Sequence, residues 1–310
     1  MRSSIFVATI ATVISACAAG AAPTRPPITG ISHISVYSAD PARTESYYTD
    51  VVGAVKAADP ENAHGVRYMI NATQFVEVLP LPAGEGKNRL DHIAFKTTNV
   101  AAMRAYLSAR GWATPAAIKS GADGSKWLDV KDAEGYTVEF VQPPVHPAAV
   151  HEPNAIGPHV IHVGIIVHDR AKEDTFYRGL LDFKPYWYGG MQDTKVDWVS
   201  QQTPESHDWL EYMVVGGEGT GIPASMSQHT AGVLNHVSIG VVSVDAAFKT
   251  LKGAGRLKGE HDDAPKMGRD GKMQLNLYDP DETRVEVMNF RATEKPCCSQ
   301  FTAQDPSPVE

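Results

Sequence analysis

Four short stretches of the chain repeat one order of apolar and polar residues: an apolar residue, any residue, His, a β-branched apolar residue, a small residue and a second apolar residue. They are Ile31-Ser32-His33-Ile34-Ser35-Val36, Leu90-Asp91-His92-Ile93-Ala94-Phe95, Val160-Ile161-His162-Val163-Gly164-Ile165 and Leu234-Asn235-His236-Val237-Ser238-Ile239. Alternation at period two predicts a strand. A helical stripe follows each strand, over residues 41–52 (Tyr47, Tyr48, Val51, Val52), 100–107 (stopping at Gly111), 170–181 (Phe176, Tyr177, Leu180, Leu181) and 244–251 (stopping near Gly253). Short β-like runs come next. The last run of each unit, over residues 73–79, 136–141, 208–215 and 283–290, is the clearest. Each unit therefore reads β-α-β-β-β, and a repeat of this kind organises the whole chain.

Units one and two fill residues 30–142, and units three and four fill 159–290. A Pro-rich linker over 143–158 separates them. Residues 216–221 are Gly-rich and read as a loop, and the tail over 291–310 has no periodicity and is expected to be loose. Residues 1–22 read as an export signal: a basic start at Arg2, an uncharged apolar run, then small residues and prolines. Ile14-Ser15-Ala16-Cys17 resembles a bacterial lipobox, which would make Cys17 a lipid anchor; ordinary cleavage near Ala21 or Ala22 is the alternative. The mature chain is expected to be periplasmic or secreted.

The formal charge of −8, with no run of Lys and Arg, argues against a nucleic-acid partner. No uncharged stretch beyond the N-terminal segment is long enough to span a membrane. Cysteines number 3, too few for a disulfide scaffold, and the adjacent Cys297 and Cys298 are left open as free, paired between chains or oxidised. Oligomer formation is also left open.

The fixed positions of the repeat carry the chemistry. Every opening strand has His third, and every closing strand has Glu at its centre: Val76-Glu77-Val78, Val138-Glu139-Phe140, Leu210-Glu211-Tyr212 and Val285-Glu286-Val287. Strand neighbours face opposite sides, so the His and Glu side is small or polar while the other side is apolar. A mid-strand carboxylate is costly to bury without a partner, and a cation would remove that cost. The chain has 12 His, and four of them share one repeat position. A structural histidine inherited with the repeat is the competing explanation. Two His and two Glu are N and O donors suited to a divalent transition metal: Ni, Co, Zn, Mn or Fe(II).

These features resemble the vicinal oxygen chelate superfamily, the glyoxalase, bleomycin-resistance and extradiol-dioxygenase group. The carriers are the I-x-H-[IV] openings, Tyr47-Tyr48-Thr49-Asp50-Val51-Val52-Gly53, Phe176-Tyr177-Arg178-Gly179-Leu180-Leu181, and Asp279-Pro280-Asp281 before Val285-Glu286-Val287. The second unit has the looser Asp132-Ala133-Glu134-Gly135. The resemblance implies an α+β fold in which paired βαβββ modules form cupped, incomplete barrels around a metal. It implies the ligand sets His33, Glu77, His92, Glu139 and His162, Glu211, His236, Glu286, with pairing of units across the halves as an alternative. It implies Lewis-acid chemistry on a small molecule with vicinal oxygens, of isomerase or lyase type, with Glu139 or Glu286 as the base and Glu77 or Glu211 as alternates. An Fe(II) extradiol dioxygenase is the second expectation. Against it, Asn276 and Asp129 stand where that group's pattern places Tyr. A third is a binder without catalysis that sequesters a ligand in the cup. Trp187, Tyr188, Trp198, Trp209 and Tyr212 lie near the second cup and suggest an aromatic or apolar ligand.

Overall fold

The alternating stretches form strands and the stripes form short helices in the expected order. The computed structural model describes residues 22–150, 154–216 and 225–308. Unit one is β1 (Ile28–Ser38), α1 (Pro41–Ser46), β2 (Val55–Ala58), β3 (Val66–Met69) and β4 (Phe75–Pro80). Unit two is β5 (Leu90–Thr97), α2 (Val100–Ala109), β6 (Lys119–Ser120), β7 (Lys126–Lys131) and β8 (Thr137–Gln142). Unit three is β9 (His159–Val167), α3 (Arg170–Asp174), β10 (Lys184–Gly189), β11 (Trp198–Gln202) and β12 (Trp209–Val214). Unit four opens with α4 (Gln228–Leu234), then β13 (His236–Val241), α5 (Val244–Gly253), β14 (Lys266–Met267), β15 (Met273–Tyr278) and β16 (Arg284–Asn289).

The crossover helices start on short polar side chains. Asp40, Asn99, Asp169 and Ser243 accept from the backbone N–H three residues on, the usual N-cap bond. In units one and three the helix widens into a π-turn, over Tyr47–Val52 and Thr175–Leu180. The single regular helix read from the sequence is corrected there. The wider turn lets both members of an adjacent aromatic pair, Tyr47-Tyr48 and Phe176-Tyr177, point inward, and all four are buried.

Pairing is within each half. One sheet runs β2-β3-β4-β1-β5-β8-β7-β6 and the other β10-β11-β12-β9-β13-β16-β15-β14. At each centre two opening strands meet antiparallel, and each is flanked in parallel by the closing strand of its own unit. The four His and four Glu therefore occupy the middle four strands of two curled half-barrels. Mixed units across the halves, the open alternative, are not formed.

The apolar sides of both sheets join in one continuous core under the helices. The halves also exchange polar groups. Tyr48 Oη donates to Asp279 at 3.2 Å, and Tyr177 Oη donates to Asp132 at 3.1 Å, so each half sends a tyrosine into the other half's last turn. At the centre Gln74 donates to the Val160 carbonyl and accepts from the Val160 N–H, both at 2.9 Å.

The tail, expected to be loose, is tied down. Asp305 accepts from the buried Lys272 Nζ at 2.8 Å, Phe301 packs on Tyr186, and Thr302 Oγ1 donates to the Pro185 carbonyl at 2.6 Å. Isolated aromatic and acidic residues give no periodic signal, which is why the sequence did not announce the contacts. Cys297 and Cys298 are joined to each other. Residues 1–21, with Cys17, and 217–224, most of the Gly-rich loop, lie outside the described residues. No helix among the described residues is long and apolar enough to cross a membrane.

Candidate metal centres

The register of the middle strands brings each ligand set together. In the first cup His33 and His92 come from β1 and β5, and their Nε2 atoms face each other at 2.8 Å. Glu139 Oε1 lies 3.6 Å from His33 Nε2, and Glu77 Oε2 lies 3.8 Å from His92 Nε2. In the second cup His162 and His236 Nε2 are 3.0 Å apart. Glu286 Oε2 lies 3.1 Å from His162 Nε2, and Glu211 Oε2 lies 3.6 Å from His236 Nε2. All eight sequence-nominated side chains thus converge, four to a cup. In each cup three of them, His33, Glu77, His92 and His162, His236, Glu286, offer donor atoms all within 4.8 Å of one another.

The donors are aimed as a cation requires. His236 Nδ1 lies 2.9 Å from the Leu234 carbonyl, which can only accept, so Nδ1 carries the proton and Nε2 presents its lone pair to the cup. His92 Nδ1 lies 2.7 Å from the Asp91 carboxylate, with the same consequence. Glu139 Oε1 is buried without a hydrogen-bond partner. Burial lowers the basicity of all three of His33, His162 and His236, which keeps them neutral, as ligands must be. N and O donors of this kind fit a divalent transition ion, with two His and one carboxylate leaving positions open.

Small neighbours make the room. Gly164 pairs with His236 across β9 and β13, and a Cβ there would sit 2.0 Å from His236 Cε1. Phe75 stacks on His33 with centroids 4.3 Å apart, and Trp209 lies against His162 at 4.6 Å, fixing the two opening rings in place.

The two cups differ in what stands opposite the glutamates. In the first, Arg67 faces Glu77 and Asp129 faces Glu139; in the second, Ser200 faces Glu211 and Asn276 faces Glu286. The first cup is thus filled by charge. Arg67 pairs with Asp59 at 3.2 Å and with Glu61, and the charges of those two carboxylates bear on Glu77 and Glu139. Burial, reinforced by Asp59, pushes Glu77 up to about 9, and burial with Glu61 raises Glu139 well above the carboxylate range. The cavity outside, about 790 Å³, is lined by Asp59, Arg67, Phe75 and the linker, and none of the four donors reaches it.

The second cup opens on a cavity of about 630 Å³ that Glu211 and Glu286 line directly. Its apolar wall includes Trp187, Trp198, Met213 and Met288, and its polar side includes Gln274, Asn276 and Arg284. Trp209 instead backs His162, Tyr212 is buried in the core, and Tyr188 is exposed. Burial would raise Glu286, but Arg284, 3.8 Å away, and His162 bring it down to about 2. Glu211 is pushed up to about 8 by burial and by the neighbouring charge of Glu286. The sequence reading missed Arg67, Asp59, Glu61 and Arg284. Arg67 and Arg284 carried a faint signal, since each sits on the same strand face as a nominated Glu or directly opposite one.

A family model for the Glyoxalase/Bleomycin resistance protein/Dioxygenase superfamily matches residues 30–140 and 159–287. Among solved structures, the Mn(II)-bound glyoxalase from Novosphingobium aromaticivorans superposes with a TM-score of 0.64 at 18% identity, covering 92% of this chain and 89% of that one. The 2,3-dioxygenase LapB from Pseudomonas sp. KL28 gives 0.61 at 14% identity over 86% and 93%. Homoprotocatechuate 2,3-dioxygenase from Brevibacterium fuscum, in its complex with 3,4-dihydroxyphenylacetate, gives 0.63 at 16% identity over 91% and 87%. No curated protein matches the chain. With both repeats covered by one family model and both ligand sets assembled on that fold, the chain belongs to the Glyoxalase/Bleomycin resistance protein/Dioxygenase superfamily.

Proposed function

We propose that this is an exported, divalent-metal-dependent enzyme of isomerase or lyase type, acting on a small molecule with vicinal oxygens in the second cup. The observation that carries the reading is the meeting of His162, His236, Glu211 and Glu286 at the edge of a cavity with an apolar wall. His162, His236 and Glu286 would hold the ion, with Glu211 beside it. Bound there, a divalent ion would supply Lewis-acid polarisation of a substrate oxygen.

The chain's own residues supply the rest. Arg284 anchors Glu286, which suits that carboxylate to a fixed ligand role rather than the role of base. Glu211 is held more lightly, by the Ser200 hydroxyl at 3.3 Å, and is the carboxylate suited to take up a proton and return it. That reverses the preference for Glu286 drawn from the sequence. Trp187, Trp198, Met213 and Met288 line the cavity and offer area to an apolar or aromatic substrate.

A second reading, an Fe(II) extradiol-type dioxygenase, draws support from the two-His, one-carboxylate set and from the two dioxygenases above. Asn276, opposite Glu286, weighs against it.

The test uses the mature chain loaded in turn with Ni, Co, Zn, Mn and Fe(II). It is assayed for isomerisation or lysis of 1,2-dicarbonyl and 2-hydroxycarbonyl compounds, and for oxygen uptake with catechols. Glu211→Gln should keep the metal and lose about 10²–10⁴ in turnover, whereas Glu286→Gln should lose the metal. Turnover that survives His162→Ala/His236→Ala overturns the reading, and oxygen uptake with Fe(II) alone moves it to the dioxygenase.

A further inference from the structure

We infer that Cys297 and Cys298 form a redox-sensitive latch across the seam of the second cup, shut as the disulfide and opened by a dithiol reductant. A curled sheet that stops short of a barrel leaves its two edge strands apart, and in the second sheet those edges are β10 and β14. The chain after β16 makes contact with both. It first follows the β14–β15 turn, where the Thr293 N–H donates to the Gly271 carbonyl at 2.8 Å and the Cys297 N–H donates to the Arg269 carbonyl at 2.9 Å. It then reaches β10. Trp187 Nε1 donates to the Cys297 carbonyl at 3.3 Å, and Ser299 Oγ accepts from the Tyr188 N–H at 2.9 Å. Cys297 thus holds both edges with its own N–H and carbonyl, and its partners Trp187 and Arg269 both line the second cavity.

A disulfide between neighbours does little for global stability. Such bonds act largely by restricting the unfolded chain, more so the longer the loop they close, and this one encloses no residue. What it fixes is local. Cys298 takes φ 68°, in the left-handed region that a residue with a Cβ rarely occupies, and its bond to Cys297 holds the crossing there. Both residues are half-buried, so a reductant can reach the sulfurs, and exposed disulfides are the labile ones. Asp193 is part of a second tie across the seam. Its carboxylate pairs with Arg269, whose Nε also donates to the Gly190 carbonyl at 3.2 Å, and one of its oxygens lies within 4.8 Å of both sulfurs. Reduction is an exchange. A thiolate of the dithiol attacks one sulfur to give a mixed disulfide, and the second thiol of the reductant displaces the protein. The reductant leaves as its own disulfide, and two electrons and two protons stay on Cys297 and Cys298. The new S–H groups are donors that Asp193 can accept in place of Arg269, and Cys298 is released from the left-handed region. Both ties then loosen at the cavity wall. A purely structural clasp, broken only when the chain unfolds, is the competing explanation.

The latch would regulate the cavity of the proposed function and rests on that reading for its consequence, but its test needs neither metal nor turnover. The chain from Pro23 onward has no other cysteine, so free-thiol titration reports this pair alone. The full mature chain is compared oxidised, after dithiothreitol and after reoxidation, with far-UV circular dichroism to confirm folding. Backbone hydrogen exchange at positions 188 and 297 should quicken about tenfold on reduction and recover on reoxidation, while that of Val163 and Val237, paired at the centre of the sheet, should not change. Acrylamide quenching of Trp187, read as the difference between the parent and Trp187→Phe, should rise on reduction. Cys297→Ser/Cys298→Ser should exchange like the reduced chain and ignore dithiothreitol. No free thiol after dithiothreitol in the folded chain overturns the inference. So do thiols that appear with exchange at 188 and 297 unmoved, or a double Ser variant that exchanges like the oxidised chain. A latch that opens in a chain binding no metal at His162 and His236 stands while the proposed function falls, and a latch that stays shut beside a bound metal does the reverse.

Discussion

Replacing Gly164 by Ala should empty the second cup of metal while leaving the fold intact. Gly164 does not lie in the left-handed region, so alanine brings no backbone penalty, and its cost is the space its methyl group takes. That methyl carbon would lie 2.0 Å from His236 Cε1 and 2.3 Å from Nδ1, where ordinary van der Waals contact begins at 3.4 Å. The imidazole must retreat by about 1.4 Å, or β9 must move. Metal–ligand distances tolerate about 0.2 Å. The retreat also breaks the 2.9 Å bond that fixes the ring on the Leu234 carbonyl. Loss of such a support alone costs roughly 10–100-fold in metal affinity, so displacement of the ligand itself should cost at least 100-fold. Overpacking should take about 1–3 kcal/mol from stability. Calorimetric titration of Mn(II) or Zn(II) into Gly164→Ala on the His33→Ala/His92→Ala background isolates the effect, with urea unfolding as the stability check. An affinity within threefold of the parent would show that His236 is not a ligand, or that the strand yields freely, and would refute the reasoning.

Three further outcomes follow from the geometry. Tyr177→Phe removes a donor from Asp132 and should cost about 1–3 kcal/mol in urea unfolding; a change below 0.5 kcal/mol would mean that water replaces the hydroxyl. Asp305→Asn leaves the buried Lys272 ammonium without its counter-ion and should cost about 3 kcal/mol, the low end for breaking a buried pair, because Asp305 is partly exposed. Wild-type stability there would make the tail contact dispensable. For pH, burial holds Asp279 at about 7 and Glu173 at about 8, against carboxyls near 4 in the unfolded chain. The folded chain therefore holds the extra protons, so this contribution is full below about pH 4 and is lost as pH rises through 7 and 8. The urea midpoint of chelator-treated protein should fall from pH 5 to pH 8.5, and Asp279→Asn should flatten the part near 7. A midpoint that climbs over that range contradicts the assignment.

Much of this molecule could be read from the chain because repetition made each position four observations. His33, His92, His162 and His236 are unremarkable singly, but their shared place in the alternation identified both the strand and the face. What escaped was whatever the repeat does not share. Asp59 and Glu61 sit in a turn and are buried in pairs with Arg67, and nothing local tells a buried carboxyl from a solvated one. Arg67 and Ser200 occupy equivalent places in two sheets, yet only the folded pairings show that a cation faces Glu77 where a hydroxyl faces Glu211. The π-turns escaped because a stripe counts apolar residues without fixing the turn's width, and the tail contacts because Phe301 and Asp305 act singly across more than a hundred residues of sequence from Tyr186.

The exchange of tyrosines between the halves bears on how this chain can be divided. Two units of equal plan joined by a linker invite excision of either one as a smaller scaffold. Cutting at the linker would strip Asp132 and Asp279 of their phenol donors and expose the shared apolar face on both fragments at once. The duplication has become a mutual dependency, so fragments should recover structure only by complementation, when both are present together. A designer seeking the second cup alone would first have to give it a new back wall.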